Sequence, residues 1–282
     1  MKDSEPKEPW HNIYREIANK YSRQQQESWY SSVAKAYDRT RPRYPQVICD
    51  RLKKSTNLTS NSTVLELGCG PGTATVSFAK LGWKMFCLEP SYEACQLAIK
   101  NCREYSQVEI INTTFEAWES NNQFDAVLAA SSFHWLDPKT KYQKTAEVLK
   151  DNGYLILLWN TPPQIEYNLY RSLLPVYQTH APKIEYQSIA THRSNLNQIV
   201  EAVEDSGYYK VLQSEERVCE VTYSIDDYLI LLSTLSPYIM LEASARETLF
   251  EKIREILQEE CSETLQLSHL ISWQIARKIK SD

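Results

Sequence analysis

Glycine is scarce in this chain: only six of its 282 residues are glycine, about a third of the number expected from average composition. Its seven cysteines include no Cys-x-x-Cys pair and follow no regular spacing, which argues against a zinc site and against a disulfide framework. A net charge of −5 argues against the basic surface that nonspecific binding to nucleic acids or acidic membranes requires. We therefore predict reduced thiols, no bound metal, and no nucleic-acid or membrane partner.

Long apolar runs are missing as well. The longest, residues 154–159, is far too short to span a bilayer, and residues 1–10 lack the apolar stretch of a signal peptide. These absences predict a cytoplasmic protein. Its contents of hydrophobic residues (42%) and charged residues (24%) are those of an ordinary globular fold.

Three of the six glycines fall within five residues, at Gly68, Gly70 and Gly72. Glycine adopts positive φ without strain and lets the backbone approach a ligand or another chain segment closely. Residues 64–67 before this cluster predict a short buried strand, and residues 73–81 after it predict a helix. A strand, a glycine turn and a helix form the entrance to a nucleotide site in a doubly wound α/β fold.

The alternation of strand and helix continues to residue 160, and its strands are short and continuously apolar, as in a parallel sheet covered by helices on both faces. Apolar residues at helical spacing over residues 10–37 predict two N-terminal helices with a break around the glutamine run 24–26. Beyond residue 160 the pattern predicts a tyrosine-rich helical segment (164–206), a strand (210–223), helices (226–235 and 242–259) and a final strand with alternating apolar residues (265–275).

We divide the chain, within one domain, into an N-terminal helical cover (1–55), a nucleotide-binding core (56–160), a helical lid or substrate insertion (161–206) and a C-terminal completion of the sheet (207–282). The tyrosine-rich segment has two open interpretations. It is either a lid over the pocket or the core of an appended helical layer.

The spacing of the glycine cluster excludes two classes of nucleotide ligand. Its third glycine comes one residue too early for the dinucleotide fingerprint, and no Gly-Lys-Ser/Thr of a phosphate-binding loop follows. Glu66, two residues before the turn, is placed to help hold an ammonium group through water or the backbone. Glu89 at the end of the second predicted strand is placed to accept both hydroxyls of a ribose. The alternative for Glu89 is an exposed acid at a helix start, before Pro90.

Two further segments lie where the carboxyl ends of strands meet. Phe115 and Glu116 follow the third strand, where an aromatic ring can cover a purine and an acid can meet its amine; the alternative is a core phenylalanine and a solvated acid. Ala130 ends the fourth strand, and a bulky cluster follows it. Within that cluster His134 is a candidate general base, or else a structural histidine.

Together these motifs resemble the class I S-adenosylmethionine-dependent methyltransferases over residues 30–160. Tyr37, the Arg-Pro-Arg-Tyr-Pro segment at 41–45 and the Phe-His-Trp segment at 133–135 are similar to small-molecule methyltransferases such as trans-aconitate methyltransferase-like proteins. The resemblance implies a Rossmann-like seven-stranded sheet, mostly parallel with an antiparallel edge strand, and N-terminal helices that cover the cofactor. The cofactor-binding residues that we expect are Tyr37, Arg41, Glu66, Gly68, Cys69, Gly70, Gly72, Glu89, Pro90, Ser91, Phe115, Glu116 and Ala130.

The implied reaction is an in-line displacement that moves a methyl group from S-adenosylmethionine to a small-molecule acceptor and leaves S-adenosylhomocysteine. A carboxylate acceptor needs no base because it is ionised at neutral pH. A hydroxyl or amine acceptor needs one, and the candidates are His134 and then Tyr37. The expected substrate-contacting residues are His134, Trp135, Arg41 and Trp159.

Arg41 lies in the one basic concentration near the predicted site, so we expect it to orient an anionic group of the substrate or cofactor, unless it belongs to a solvated loop. Two other functions stay open: a cofactor-binding regulatory or partner protein without turnover, and a protein methyltransferase. The expected assembly is a monomer or a homodimer.

Overall fold

The computed structural model describes residues 23–261 and 263–279. Within them are seven strands, which we number in chain order: β1 (Thr63–Leu67), β2 (Lys84–Glu89), β3 (Val108–Asn112), β4 (Phe124–Ala130), β5 (Leu149–Asn160), β6 (Tyr209–Ser224) and β7 (Thr264–Lys278). They form one sheet in the order β3-β2-β1-β4-β5-β7-β6. The order reverses between β1 and β4, and such a switch point is where open α/β sheets bind their ligands.

Ten helices flank this sheet in the described residues: α1 (Arg23–Thr40), α2 (Gln46–Thr56), α3 (Thr75–Ala79), α4 (Tyr92–Cys102), α5 (Lys141–Val148), α6 (Tyr167–His180), α7 (Ile189–Asp205), α8 (Ile225–Ser233), α9 (Ser236–Ile239) and α10 (Ala243–Glu260). A 3₁₀ turn, Phe133–Trp135, follows β4. None of these described helices combines the length and the apolar character that crossing a membrane requires.

The predicted doubly wound α/β class is confirmed: β1 to β5 run parallel, and one strand opposes them. The opposing strand is β7, and it lies inside the sheet between β5 and β6 rather than at the predicted edge. Burial explains this placement. Residues 269–276 of β7 are continuously buried, as a strand with two neighbours requires, whereas most of β6 is exposed or half-buried.

The strands separate two apolar clusters because successive side chains point to opposite faces. Val64 belongs to the cluster on one face of the sheet, and Leu65 belongs to the cluster on the other. A third cluster lies among the C-terminal helices and takes in the buried rings of Tyr170 and Tyr177. Of the two interpretations of the tyrosine-rich segment, the structure therefore favours core.

Helix α1 begins at Arg23 and includes the glutamine run, because glutamine is a good helix former. The predicted break around this run borders residues outside the described part and stays a prediction. The predicted helix that precedes the run lies outside the described residues.

Candidate active site

A cavity of about 220 Å³ opens at the carboxyl ends of β1, β2 and β4. One wall is the sheet edge with its connecting loops, and the facing wall is α1 with the loop after it. Of the predicted site residues the cavity is lined by Tyr37, Arg41, Gly68, Cys69, Gly70, Glu89, Pro90, Ser91, Phe115, Glu116, Ala130 and Trp135. Glu66, Gly72, His134 and Trp159 are not among the lining residues.

Two glycines of the turn serve different purposes. Both have positive φ, 64° at Gly68 and 56° at Gly70. A Cβ on Gly68 would come within 2.8 Å of the Ser132 Cβ, so this position must be glycine for the turn to pack against the loop after β4. A Cβ on Gly70 would meet no atom within 4 Å, and Gly70 lines the cavity. Its bare backbone therefore leaves space for a ligand.

Replacing Gly70 by alanine tests this difference, with Gly207→Ala as the matched control. Gly207 also has positive φ (75°) and an open surrounding, but it lies outside the cavity. Both variants should lose about 1–2 kcal/mol of stability through backbone strain. In calorimetry only Gly70→Ala should bind S-adenosylhomocysteine more weakly, by about tenfold. Equal affinities for the two variants would contradict a ligand at this turn.

Glu89 connects the end of β2 to the glycine turn. Its Oε2 accepts a hydrogen bond from the Gly70 amide at 2.8 Å, and its Oε1 accepts one from the Ser91 amide at 2.9 Å. The side chain is 7% exposed at the cavity wall. The two backbone amides fix the orientation of this carboxylate at the cavity wall, where it can meet a ligand.

Phe115 and Glu116 lie on a short turn after β3, at one end of the cavity. The Phe115 ring is buried and belongs to the apolar cluster on the Leu65 face of the sheet. This residue is therefore part of both the core and the cavity wall. The Glu116 carboxylate accepts a hydrogen bond from the Asp137 amide at 3.1 Å. This bond ties the turn to the loop after β4.

Glu66 lies beneath the glycine turn, so a role toward an ammonium group would have to be indirect and stays a prediction. The carboxylate is fully buried, and it accepts hydrogen bonds from the Thr75 hydroxyl at 2.7 Å and the Cys87 thiol at 3.5 Å. Strand alternation places it on the Val64 face of β1, beneath the turn and away from the cavity. Burial raises the pKa of Glu66 to about 7.

His134 and Trp159 also lie outside the cavity. The His134 ring packs against Trp135, with centroids 4.8 Å apart, and against Trp159 at 5.6 Å. Burial, with a smaller contribution from the nearby Lys141, lowers the pKa of His134 to about 3. The Trp159 indole donates to Gln274 Oε1 at 3.0 Å in the core. This geometry supports neither His134 as a base nor Trp159 as a substrate contact.

The cavity residues that the sequence reasoning missed include a polar group formed by Tyr44, Ser131 and Asn160. Ser131 has positive φ (55°), and its hydroxyl accepts a hydrogen bond from the Asn160 amide at 3.0 Å. The Asn160 side chain donates to the Pro42 carbonyl at 2.8 Å, and its Oδ1 pairs with Nδ1 of His269 at 2.7 Å. Strained backbone in a polar cluster is typical of a functional site.

Polar contacts hold α1 over the cavity. The Ser31 and Ser91 hydroxyls are hydrogen-bonded at 2.8 Å, and Arg39 forms an ion pair with Asp227 at 2.7 Å. Arg41 lines the cavity and donates to the hydroxyl and the carbonyl of Thr234 at 3.1 and 3.2 Å. The N-terminal cover implied by the resemblance is therefore present over the described part of this helix.

Comparison with known proteins agrees with this geometry. Residues 64–153 match a family described as a methyltransferase domain. An uncharacterized methyltransferase of Mycobacterium tuberculosis is 33% identical over 132 residues, which are 47% of this chain and 52% of that protein. An uncharacterized methyltransferase of Schizosaccharomyces pombe is 24% identical over 228 residues, 79% of this chain and 84% of that protein.

Among solved structures, a provisionally assigned type II methyltransferase from Anaeromyxobacter dehalogenans superposes with a TM-score of 0.60 at 15% identity, over 84% of this chain and 97% of that one. Residues 64–153 thus match a methyltransferase domain, and the fold of the chain resembles that of a solved methyltransferase structure. The chain spans about half the length of the mycobacterial relatives that it matches.

Proposed function

We propose that this protein transfers a methyl group from S-adenosylmethionine to a small-molecule acceptor. One observation carries the proposal: a single cavity brings the glycine turn and Glu89 together with Tyr37 and Arg41 of the covering segment. The first pair belongs to a nucleoside site, and the second pair faces the space beside it. Binding and transfer therefore fall within one enclosure.

The residues present fit S-adenosylmethionine. Gly70 leaves open space beside its backbone, and Glu89 is oriented by two backbone amides for a ribose. Phe115 and Glu116 form the end of the cavity at which we place the adenine. The bound cofactor supplies a methyl group on a sulfonium, so the protein needs to contribute alignment and the exclusion of water.

Helix α1, which covers the cavity, favours small acceptors. The cavity measures about 220 Å³, and α1 lies across it. A folded protein or a nucleic acid would have to displace the contacts of Ser31 and Arg39 to reach the glycine turn. A free metabolite-sized molecule needs no such rearrangement.

An acceptor that is already ionised fits the site best. Burial raises the pKa of Tyr44 far above neutrality, so its hydroxyl stays protonated and can donate a hydrogen bond. Arg41 adds a positive charge at the wall. With His134 outside the cavity, these groups suit a carboxylate, which attacks without prior loss of a proton.

Turnover tests the proposal. The protein is incubated with S-adenosylmethionine and either a panel of small acids, phenols and amines or a mixture of proteins, and release of S-adenosylhomocysteine is measured. We expect turnover with an acid. Turnover with a protein acceptor alone would indicate the protein-methyltransferase alternative, and binding of S-adenosylhomocysteine without any turnover would indicate the regulatory one.

Arg41→Met should lower kcat/KM for the acid by about 10- to 100-fold, the effect of removing a charged hydrogen bond. The matched control is Arg51→Met, which breaks an ion pair between α2 and Glu215 of β6 and lies outside the cavity. Its kcat/KM should stay within about twofold of the wild type. If Arg41→Met instead weakens S-adenosylhomocysteine binding and leaves the KM for the acid unchanged, Arg41 holds the cofactor rather than the acceptor.

A further inference from the structure

Lys144 makes an unusual set of contacts. It lies on α5, and its ammonium group donates to three backbone carbonyls, those of Phe115, Glu116 and Trp118, at 2.5, 3.0 and 3.0 Å. An ammonium group has three N–H donors. All three are therefore directed at one short turn on a different segment of the chain.

That turn is closed by one hydrogen bond of the helical type. The Trp118 amide donates to the Thr114 carbonyl at 3.0 Å, and the Thr114 hydroxyl accepts from the Ala117 amide at 3.1 Å, as a helix N-cap does. The carbonyls at the end of a helical turn have no partner within it. Lys144 supplies those partners, so it closes the end of a turn too short to be stable alone.

The same turn carries Phe115 and Glu116, which line the cavity. The Lys144 ammonium also lies 4.9 Å from the centroid of the Phe115 ring, within the range of a cation–π contact. Lys144 itself is not among the lining residues. Lys144 thus fixes the position of one cavity wall from the side that faces away from the cavity.

We infer that Lys144 is a positioning residue that sets the affinity for the adenosine half of the cofactor by holding the turn of residues 114–118. The inference rests on the proposed function, because that function places adenine at Phe115 and Glu116. Arginine is a poor replacement, because its planar donors do not match three converging carbonyls.

The test uses Lys144→Met and Lys144→Arg, with Lys150→Met as the matched control. Lys150 forms an ion pair with Asp125 at 2.8 Å and does not line the cavity. Calorimetry with S-adenosylhomocysteine and with methylthioadenosine, which lacks the amino-acid part, should show affinities about tenfold lower for Lys144→Met. Lys144→Arg should lie between Lys144→Met and the wild type, and Lys150→Met should equal the wild type.

Hydrogen exchange of ligand-free protein keeps the inference independent of turnover. We expect faster exchange at the Trp118 amide in Lys144→Met and no change in β2. Unchanged exchange at the Trp118 amide overturns the positioning role. A lower affinity for S-adenosylhomocysteine with an unchanged affinity for methylthioadenosine overturns it as well. If the wild type binds neither compound, the proposed function fails, and so does the claim that Lys144 sets the affinity for adenosine. The exchange result then decides separately whether Lys144 holds the turn.

Discussion

Replacing Glu89 by alanine is expected to weaken S-adenosylhomocysteine binding by at least about 100-fold, or roughly 2.7 kcal/mol. The carboxylate is held between the Gly70 and Ser91 amides, at 2.8 and 2.9 Å, so its orientation is set before a ligand arrives. Hydrogen bonds to a charged group contribute about 1.5–3 kcal/mol each, and a ribose would offer two. Alanine removes both of these bonds. Calorimetry at fixed ionic strength gives the affinity.

The matched control is Glu109→Gln, an exposed acid on β3 outside the cavity. Because Glu89 also anchors the glycine turn, thermal unfolding without ligand must be measured for both variants. A lower melting temperature alone would signal a structural loss, and Glu89→Gln then separates the two effects. The glutamine side chain retains one acceptor oxygen, so the affinity of Glu89→Gln should lie between that of the alanine variant and that of the wild type. Wild-type affinity in the Glu89→Ala variant would rule out a ribose at this carboxylate.

Short-range features of the chain were predictable from the sequence. Gly68 and Gly70 are predictable because positive φ leaves few alternatives to glycine. The positions of Glu89 and Phe115 follow from parallel strands, whose carboxyl ends lie along one edge of the sheet. These inferences need only local pattern and the handedness of the fold.

Side-chain direction at the site was less predictable. Glu66 lies two residues before the turn, as expected. Because side chains alternate along a strand, its carboxylate is buried on one face of the sheet and does not line the cavity. His134 follows β4, as expected, but it sits on a 3₁₀ turn that presents Trp135 to the cavity instead. A difference of one position along a turn decides which side chain meets a ligand.

Contacts across long stretches of sequence were not predictable. Asn160 pairs with His269, 109 positions away, and this pairing exists only because β7 inserts between β5 and β6. The three bonds of Lys144 depend on where α5 crosses the turn after β3. Neither arrangement leaves a local pattern, since tertiary packing alone brings the partners together.

The buried carboxylate of Glu66 should make folding pH-dependent. Burial raises its pKa from 4.5 to about 7, so between these values the folded chain binds more protons than the unfolded chain. The contribution of Glu66 to the free energy of unfolding is therefore largest below about pH 4.5, falls as pH rises to 7, and stays low above that. One pKa unit corresponds to about 1.4 kcal/mol, so the full change is about 3 kcal/mol.

Glu66→Gln should remove this dependence and be more stable than the wild type at pH 8 by up to about 3 kcal/mol. The glutamine side chain keeps an oxygen to accept from the Thr75 hydroxyl, and it resembles the protonated acid in shape, so the two proteins should be similar near pH 5. Urea unfolding at pH 5 and at pH 8 measures both differences, with Glu109→Gln as the exposed control. A wild type as stable as Glu66→Gln at pH 8 would mean that this carboxylate ionises without penalty. The environment beneath the glycine turn would then have to be more polar than the contacts of Thr75 and Cys87 indicate.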